Sequence, residues 1–88
     1  MEIVRVYSIP NCPFCKELKD LLEKEEIQFV DVNVNAPENE EEYLKLQKIT
    51  NSNDVPIVKI KKQILVPNVS FHSIPQACSL VKKILSVE

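Results

Sequence analysis

Two periodicities of apolar and polar positions run along this chain, and the switches between them mark its elements. Ile3-Val4-Arg5-Val6-Tyr7 is β-branched and mostly apolar, a run suited to a buried strand, and Pro10 ends it. A helix is expected from about Pro13, because proline is tolerated in a first helical turn. Its apolar positions Cys15, Leu18, Leu21 and Leu22 follow helical spacing. Ile27 to Val34, with Phe29, Val30 and Val32, reads as a second strand.

The second half repeats the alternation. Asn35-Ala36-Pro37-Glu38 carries the marks of a helix start: an N-cap Asn, a first-turn Pro and a Glu to complete a capping box. The acidic run Glu40-Glu41-Glu42 is expected near the positive end of that helix dipole as a solvated start. Tyr43, Leu44, Leu46 and Ile49 supply its buried face, and Asn51-Ser52-Asn53-Asp54 reads as a loop. Pro56-Ile57-Val58-Lys59-Ile60 and Gln63-Ile64-Leu65-Val66 read as two strands, and the short Lys61-Lys62 link predicts a hairpin. Ser73-Ile74-Pro75-Gln76 resembles another capping box. Behind it Ala77, Leu80, Val81, Ile84 and Leu85 form the apolar face of a last helix.

The predicted order is therefore β-α-β-α-β-β-α. A helix between the first two strands implies a right-handed parallel crossover, and the hairpin adds an antiparallel pair. The fold class is α/β: a four-stranded mixed sheet with helices on both faces, in one domain spanning 1–88.

Composition narrows the function classes. With 11 basic and 13 acidic residues the net charge is only −2, which gives no electrostatic reason to expect nucleic acid or an anionic membrane as partner. Apolar runs stay far below the roughly 20 residues of a membrane span. The start Met1-Glu2 has no basic and apolar signal pattern, so the expectation is a cytoplasmic monomer, in a compartment where structural disulfides are rare. Glycine is absent. Asparagines (Asn11, Asn33, Asn35, Asn39, Asn51, Asn53, Asn68) are expected to take the left-handed turn positions that glycine normally fills. A phosphate-cradling glycine loop is excluded.

The candidate chemistry lies at Cys12-Pro13-Phe14-Cys15, where the first strand gives way to the first helix. Two cysteines at this spacing on a helix start have Cα atoms about 5–6 Å apart, within disulfide range. Cys12 falls at the first turn, where free backbone N–H groups and the helix dipole favour a thiolate. Phe14 is expected beside the pair as an apolar contact for substrate. Lys16 and Lys19 lie near the Cys12 face, Lys16 the closer, and either adds positive potential there. Cys15 is expected to be more buried and to hold its proton more tightly. The alternative for such a pair is half of a zinc or iron–sulfur site, for which only Cys78 and His72 remain as further soft ligands. Cys78 reads as an apolar-face residue and His72 as a loop residue. A Cys/His hydrolase lacks an oxyanion-hole motif.

A second signal, Asp54-Val55-Pro56, opens the third strand. Together with the Cys-Pro-Phe-Cys pair, the chain resembles a glutaredoxin, a branch of the thioredoxin-fold superfamily, over essentially its whole length. The resemblance implies a cis Val55–Pro56 bond facing the cysteines and a substrate chain that pairs with the backbone at Val55. It also matches the family's first-helix lysine to Lys19 and its aromatic between the cysteines to Phe14. It implies a thiol–disulfide oxidoreductase that acts on disulfide-containing proteins or mixed disulfides and holds no bound cofactor, with glutathione as a reductant.

The chain departs from the family where glutathione's γ-glutamyl end is held. Ile64 to Ser73 carries neither the Gly-Gly turn nor the acidic pair at the last helix start. A related branch, the NrdH-like redoxins, draws electrons from thioredoxin reductase instead. Phe71 and Pro75 are loosely similar to its aromatic and proline before the last helix. A metal or iron–sulfur module on Cys12 and Cys15 stands as the reading from another class.

Overall fold

The computed structural model describes residues 4–51 and 54–86. Its organising element is β1 (Val4–Ser8), whose side chains alternate between two faces as a strand's must. Val4 and Val6 enter one core, Tyr7 the other. β2 (Phe29–Asn33) pairs parallel to β1, with Val6 opposite Asp31. β3 (Ile57–Ile60) pairs antiparallel on the other side, and β4 (Gln63–Leu65) returns from it across the Lys61-Lys62 turn. The sheet order is β2-β1-β3-β4, the mixed four-stranded sheet expected from the pattern. Ile3, assigned to the first strand from sequence, lies outside the described residues, as do Ser52 and Asn53 of the third loop.

Helices α1 (Pro13–Lys24) and α3 (Ile74–Ser86) cover one face. Leu18 and Leu22 from α1, and Ala77, Cys78 and Val81 from α3, pack on Val4, Val6, Val58 and Ile60. On the other face α2 (Glu40–Thr50) lays Leu46 over Tyr7, Val32, Val34 and Ile57. Lys82 on α3 pairs with Glu25 just past the end of α1, tying the two helices at the rim.

Without glycine, five of the described residues hold positive φ. Asn11, Asn51 and Asn68 do so, as the composition suggested, but Asn33, Asn35 and Asn39 do not, and Glu26 and Lys61 take the other two positions. Asn51 closes α2, its N–H reaching Gln47 O. Glu26 closes α1: its N–H bonds Glu23 O and the Ile27 N–H bonds Leu22 O, so the last carbonyls are satisfied with a left-handed Glu where glycine is usual.

Three expectations are corrected. The Asn35 capping box does not form. A 3₁₀ turn at Pro37–Asn39 precedes α2, and the helix starts behind Asn39. Asn33 organises the turn instead, its side-chain carbonyl accepting from the Asn35 N–H and its backbone carbonyl from the Ala36 N–H and the Asn39 side chain. Second, Leu44 and Ile49 are exposed (49% and 72%) rather than buried. The inward stripe of α2 runs through Glu42, Tyr43, Leu46 and Thr50, and Leu44 lies about 200° around the helix from Leu46. Third, Glu42 is not simply solvated. It accepts two hydrogen bonds of 3.0 Å from the Arg5 guanidinium and one from the Tyr7 hydroxyl. Burial pushes its carboxyl up, but the bonds from Tyr7 and Arg5 hold it below the ordinary range. An arginine inside an apolar strand needs such a partner.

At α3 the predicted box does form, with a shift. Ser73 Oγ accepts from the Gln76 N–H at 3.2 Å, and Gln76 Oε1 accepts from the His72 N–H at 2.7 Å, one residue further back than the usual reciprocal bond.

Candidate active site

The loop after β1 turns through the left-handed Asn11 directly into α1, so the strand's carboxyl end delivers Cys12 to a helix N-terminus. Cys12 is the N-cap residue itself. Its backbone is extended (φ −101°, ψ 108°), and its sulfur accepts from the Cys15 N–H at 3.3 Å, the place a serine or aspartate oxygen usually takes. Pro13 occupies the first helical position, where no N–H is needed. The first turn carries no acidic residue to oppose an anionic sulfur.

Cys15 lies one turn on, on the inward stripe with Leu18 and Leu22, and is 1% exposed. Cys12 is half-buried, and both cysteines are free thiols. Burial pushes the Cys15 thiol up to about 12, with the hydrogen bond and charge of Cys12 adding to it. A backbone hydrogen bond from Ile9 and the charge of Lys19 pull the other way.

The two lysines occupy different settings. Lys16 is exposed and paired with Asp20 at 2.9 Å. Lys19 is more enclosed. Its ammonium bonds Asp31 at 3.1 Å, and the other Asp31 oxygen accepts from the Ser8 hydroxyl at 2.7 Å. A Ser8–Asp31–Lys19 chain thus runs from the end of β1 through β2 to α1. Sequence reasoning missed Ser8 and Asp31, because only the parallel register of β1 and β2 brings them together.

Beside the pair opens a cleft of about 500 Å³. Phe14, which is 63% exposed, and Glu17 form the α1 wall. Val55 and Pro56, joined by a cis bond, line it before β3, and Phe71 and Pro75 line it ahead of α3. The residues expected to meet substrate, Phe14, Val55 and Pro56, are therefore gathered in one depression. Glu17 was not singled out from sequence. Its signal was the three-residue offset from Phe14, which puts both on one helix face.

His72 also lines this cleft, whereas Cys78 is buried between α3 and the sheet. Burial and the neighbouring Glu25 carboxylate raise the Cys78 thiol, and Lys82 offsets part of this. Among the described residues no three His, Cys, Asp or Glu side chains stand close enough together to hold a metal ion.

Residues 4–65 match the family model for glutaredoxin. The chain belongs to the glutaredoxin family. A glutaredoxin-like 8.6 kDa protein of the rubredoxin operon of Clostridium pasteurianum is 36% identical over 64 residues, 73% of this chain and 83% of that protein. Among solved structures, glutaredoxin grx-1 of Archaeoglobus fulgidus superposes with a TM-score of 0.68 at 20% identity, covering 94% of this chain and 85% of that one. A mutant of the thioredoxin-like protein BC3987 superposes with a TM-score of 0.67 at 22% identity, covering 89% and 97%. At those identities the superpositions establish the thioredoxin fold. Family membership implies thiol–disulfide oxidoreductase chemistry in general.

In this glutaredoxin-family site the two buried thiols are guarded by both access and protonation. Iodoacetamide near neutral pH is expected to add once, at Cys12, in the native protein, and at all three cysteines after unfolding. Intact-mass counting checks it, and rapid triple labelling of folded protein would contradict the burial of Cys15 and Cys78. The sign with pH follows. Cys15, Cys78 and Tyr7 keep protons in the fold that the unfolded chain releases, so stability falls as pH rises through the ordinary thiol and phenol range toward about 12. Urea midpoints at pH 8 and pH 10.5 measure that decline.

Proposed function

We propose that this protein is a dithiol electron carrier that reduces protein or mixed disulfides through Cys12 and Cys15. The observation that carries the reading is the asymmetry of the pair: Cys12 caps α1 with its sulfur accepting the Cys15 N–H, while Cys15 is buried and protonated.

The Cys12 thiolate attacks one sulfur of a substrate disulfide. A Cys12–substrate S–S bond forms, the substrate's own S–S bond breaks, and the departing thiolate takes a proton. Cys15 then attacks the Cys12 sulfur, the mixed disulfide breaks, and the second substrate thiolate leaves and is protonated. Two electrons and two protons pass from the protein dithiol to the substrate. In the mixed disulfide Cys12 carries no charge, so part of what raises the Cys15 thiol disappears, while the Ile9 backbone and Lys19 still favour its thiolate. The resolving thiol is thus released to ionise when it is needed.

Phe14, Val55 and Pro56 are the substrate-contacting residues of this reading, Lys19 assists Cys15, and Lys16 contributes long-range positive potential at most. The oxidised protein is returned to the dithiol by glutathione or by thioredoxin reductase. The deciding assay is turnover of a disulfide with each electron source supplied separately. Activity with glutathione and glutathione reductase alone places the protein with glutathione-dependent carriers. Activity with thioredoxin reductase alone places it with the redoxins. Inactivity with both overturns the reading.

A further inference from the structure

The cleft beside Cys12 and Cys15 is apolar in its walls and acidic in its charge. Phe14, Val55, Pro56, Phe71 and Pro75 supply the apolar surface. The charged side chains lining it are Glu17 and Asp54, and among its described lining residues there is no lysine or arginine. Its volume, about 500 Å³, lies within the usual range of ligand-binding clefts.

The start of α3 also lines the cleft, and a helix N-terminus normally offers donors to an anion. Here several of those donors are already engaged. Pro75 has no N–H, the Gln76 N–H is taken by Ser73 Oγ, the Ala77 N–H by Ser73 O, and the Gln76 side chain covers the His72 N–H. An incoming carboxylate finds apolar walls, two acidic groups and few free amides.

Resting on the redox reading above, we propose that the cleft selects a polypeptide disulfide flanked by apolar and basic residues and disfavours glutathione disulfide, whose carboxylates meet Glu17 and Asp54. Apolar side chains next to the substrate cystine lie against Phe14 and Phe71, and a flanking lysine or arginine reaches Glu17. The electron flow is that already written: the S–S bond of the peptide is cleaved, Cys12 and Cys15 are oxidised to their disulfide, and two protons go to the peptide thiols.

A single-turnover measurement with pre-reduced full-length protein needs no external reductant. Its probes are two synthetic peptide disulfides with the same apolar core, one flanked by lysines and one by glutamates, and oxidised glutathione. The lysine-flanked peptide is expected to react about three- to tenfold faster than the glutamate-flanked one at low ionic strength, with oxidised glutathione slowest, and the difference to shrink in 0.5 M salt. Glu17→Lys is expected to reverse the preference. Glu40→Lys, the same charge change on α2 across the sheet, is expected to leave it in place. Equal rates for the two peptides, fastest reaction with oxidised glutathione, or a Glu17→Lys protein that keeps the original order each overturn the selectivity alone. Failure to reduce any disulfide overturns the redox reading and this inference with it.

Discussion

Cys12→Ser is expected to lower disulfide turnover to the uncatalysed rate while leaving the fold intact. The sulfur at this position is the nucleophile of the proposed reading and also the helix cap, accepting from the Cys15 N–H. Serine preserves the second role, being among the preferred N-cap residues, so α1 keeps its start. It removes the first, because a hydroxyl is not ionised under conditions where a thiol is. Cys15→Ser separates the steps in the other direction. First attack proceeds, no resolving thiol follows, and the protein accumulates as a stable adduct one substrate fragment heavier. Intact-mass analysis after mixing with a peptide disulfide reads both outcomes. Retained dithiol-dependent turnover in Cys12→Ser, or no adduct in Cys15→Ser, would reassign the nucleophile.

The second large effect lies beneath that site. Leu18 is fully buried, one turn after Cys15 on the inward stripe of α1, among Val6, Val58, Ala77 and Val81. Leu18→Ala removes buried methyl groups and leaves a cavity between helix and sheet, a loss of about 2–5 kcal/mol. Small domains hold only about 5–15 kcal/mol in all, so the variant sits close to its unfolding limit. Ile49→Ser, at a 72%-exposed position of α2, is expected to stay within about 0.5 kcal/mol of the parent. Urea unfolding of both proteins tests the pair. If the two variants lose similar stability, either Leu18 is not central to the core or Ile49 is not solvent-facing.

Asp31 marks a boundary between what residue patterns carry and what they do not. In the chain it is one acidic residue in a β-rich run. In the fold it holds Lys19 from α1 and Ser8 from β1. Glu42 is a parallel case: as part of an acidic run it reads as a solvated helix start, yet across the sheet it is the partner of Arg5 and Tyr7. Both depend on partners more than ten residues away, and no local periodicity encodes which strands lie side by side.

The strand–helix order, the mixed sheet, the cysteine pair at the first helix start and the α3 cap were legible because each rests on local physics. A β-branched run, a proline in a first turn, a Ser-x-x-Gln box and a two-residue hairpin link all act within a few residues. The failures were also local patterns, overruled by packing. Asn35 lost the cap because Asn33 formed the turn before it. Leu44 and Ile49 lost burial because the short α2 turns Glu42 and Leu46 toward the sheet. Left-handed Glu26 and Lys61 stand where a composition argument names only asparagine, since chain direction at those turns outweighs the cost of a Cβ.

By itself, then, the sequence determined the type and order of the elements, the cysteine pair and its placement at a helix N-terminus, because those are set by dihedral preference, capping and apolar period. Only the tertiary structure decided how completely Cys15 is enclosed, at 1% exposed, the chain of bonds from Lys19 through Asp31 to Ser8, and the joining of Phe14 and Glu17 to Val55, Pro56 and Phe71 in one cleft. Those properties are sums over neighbours distant in the chain: burial, which raises a thiol, and convergence, which gives a cleft its charge.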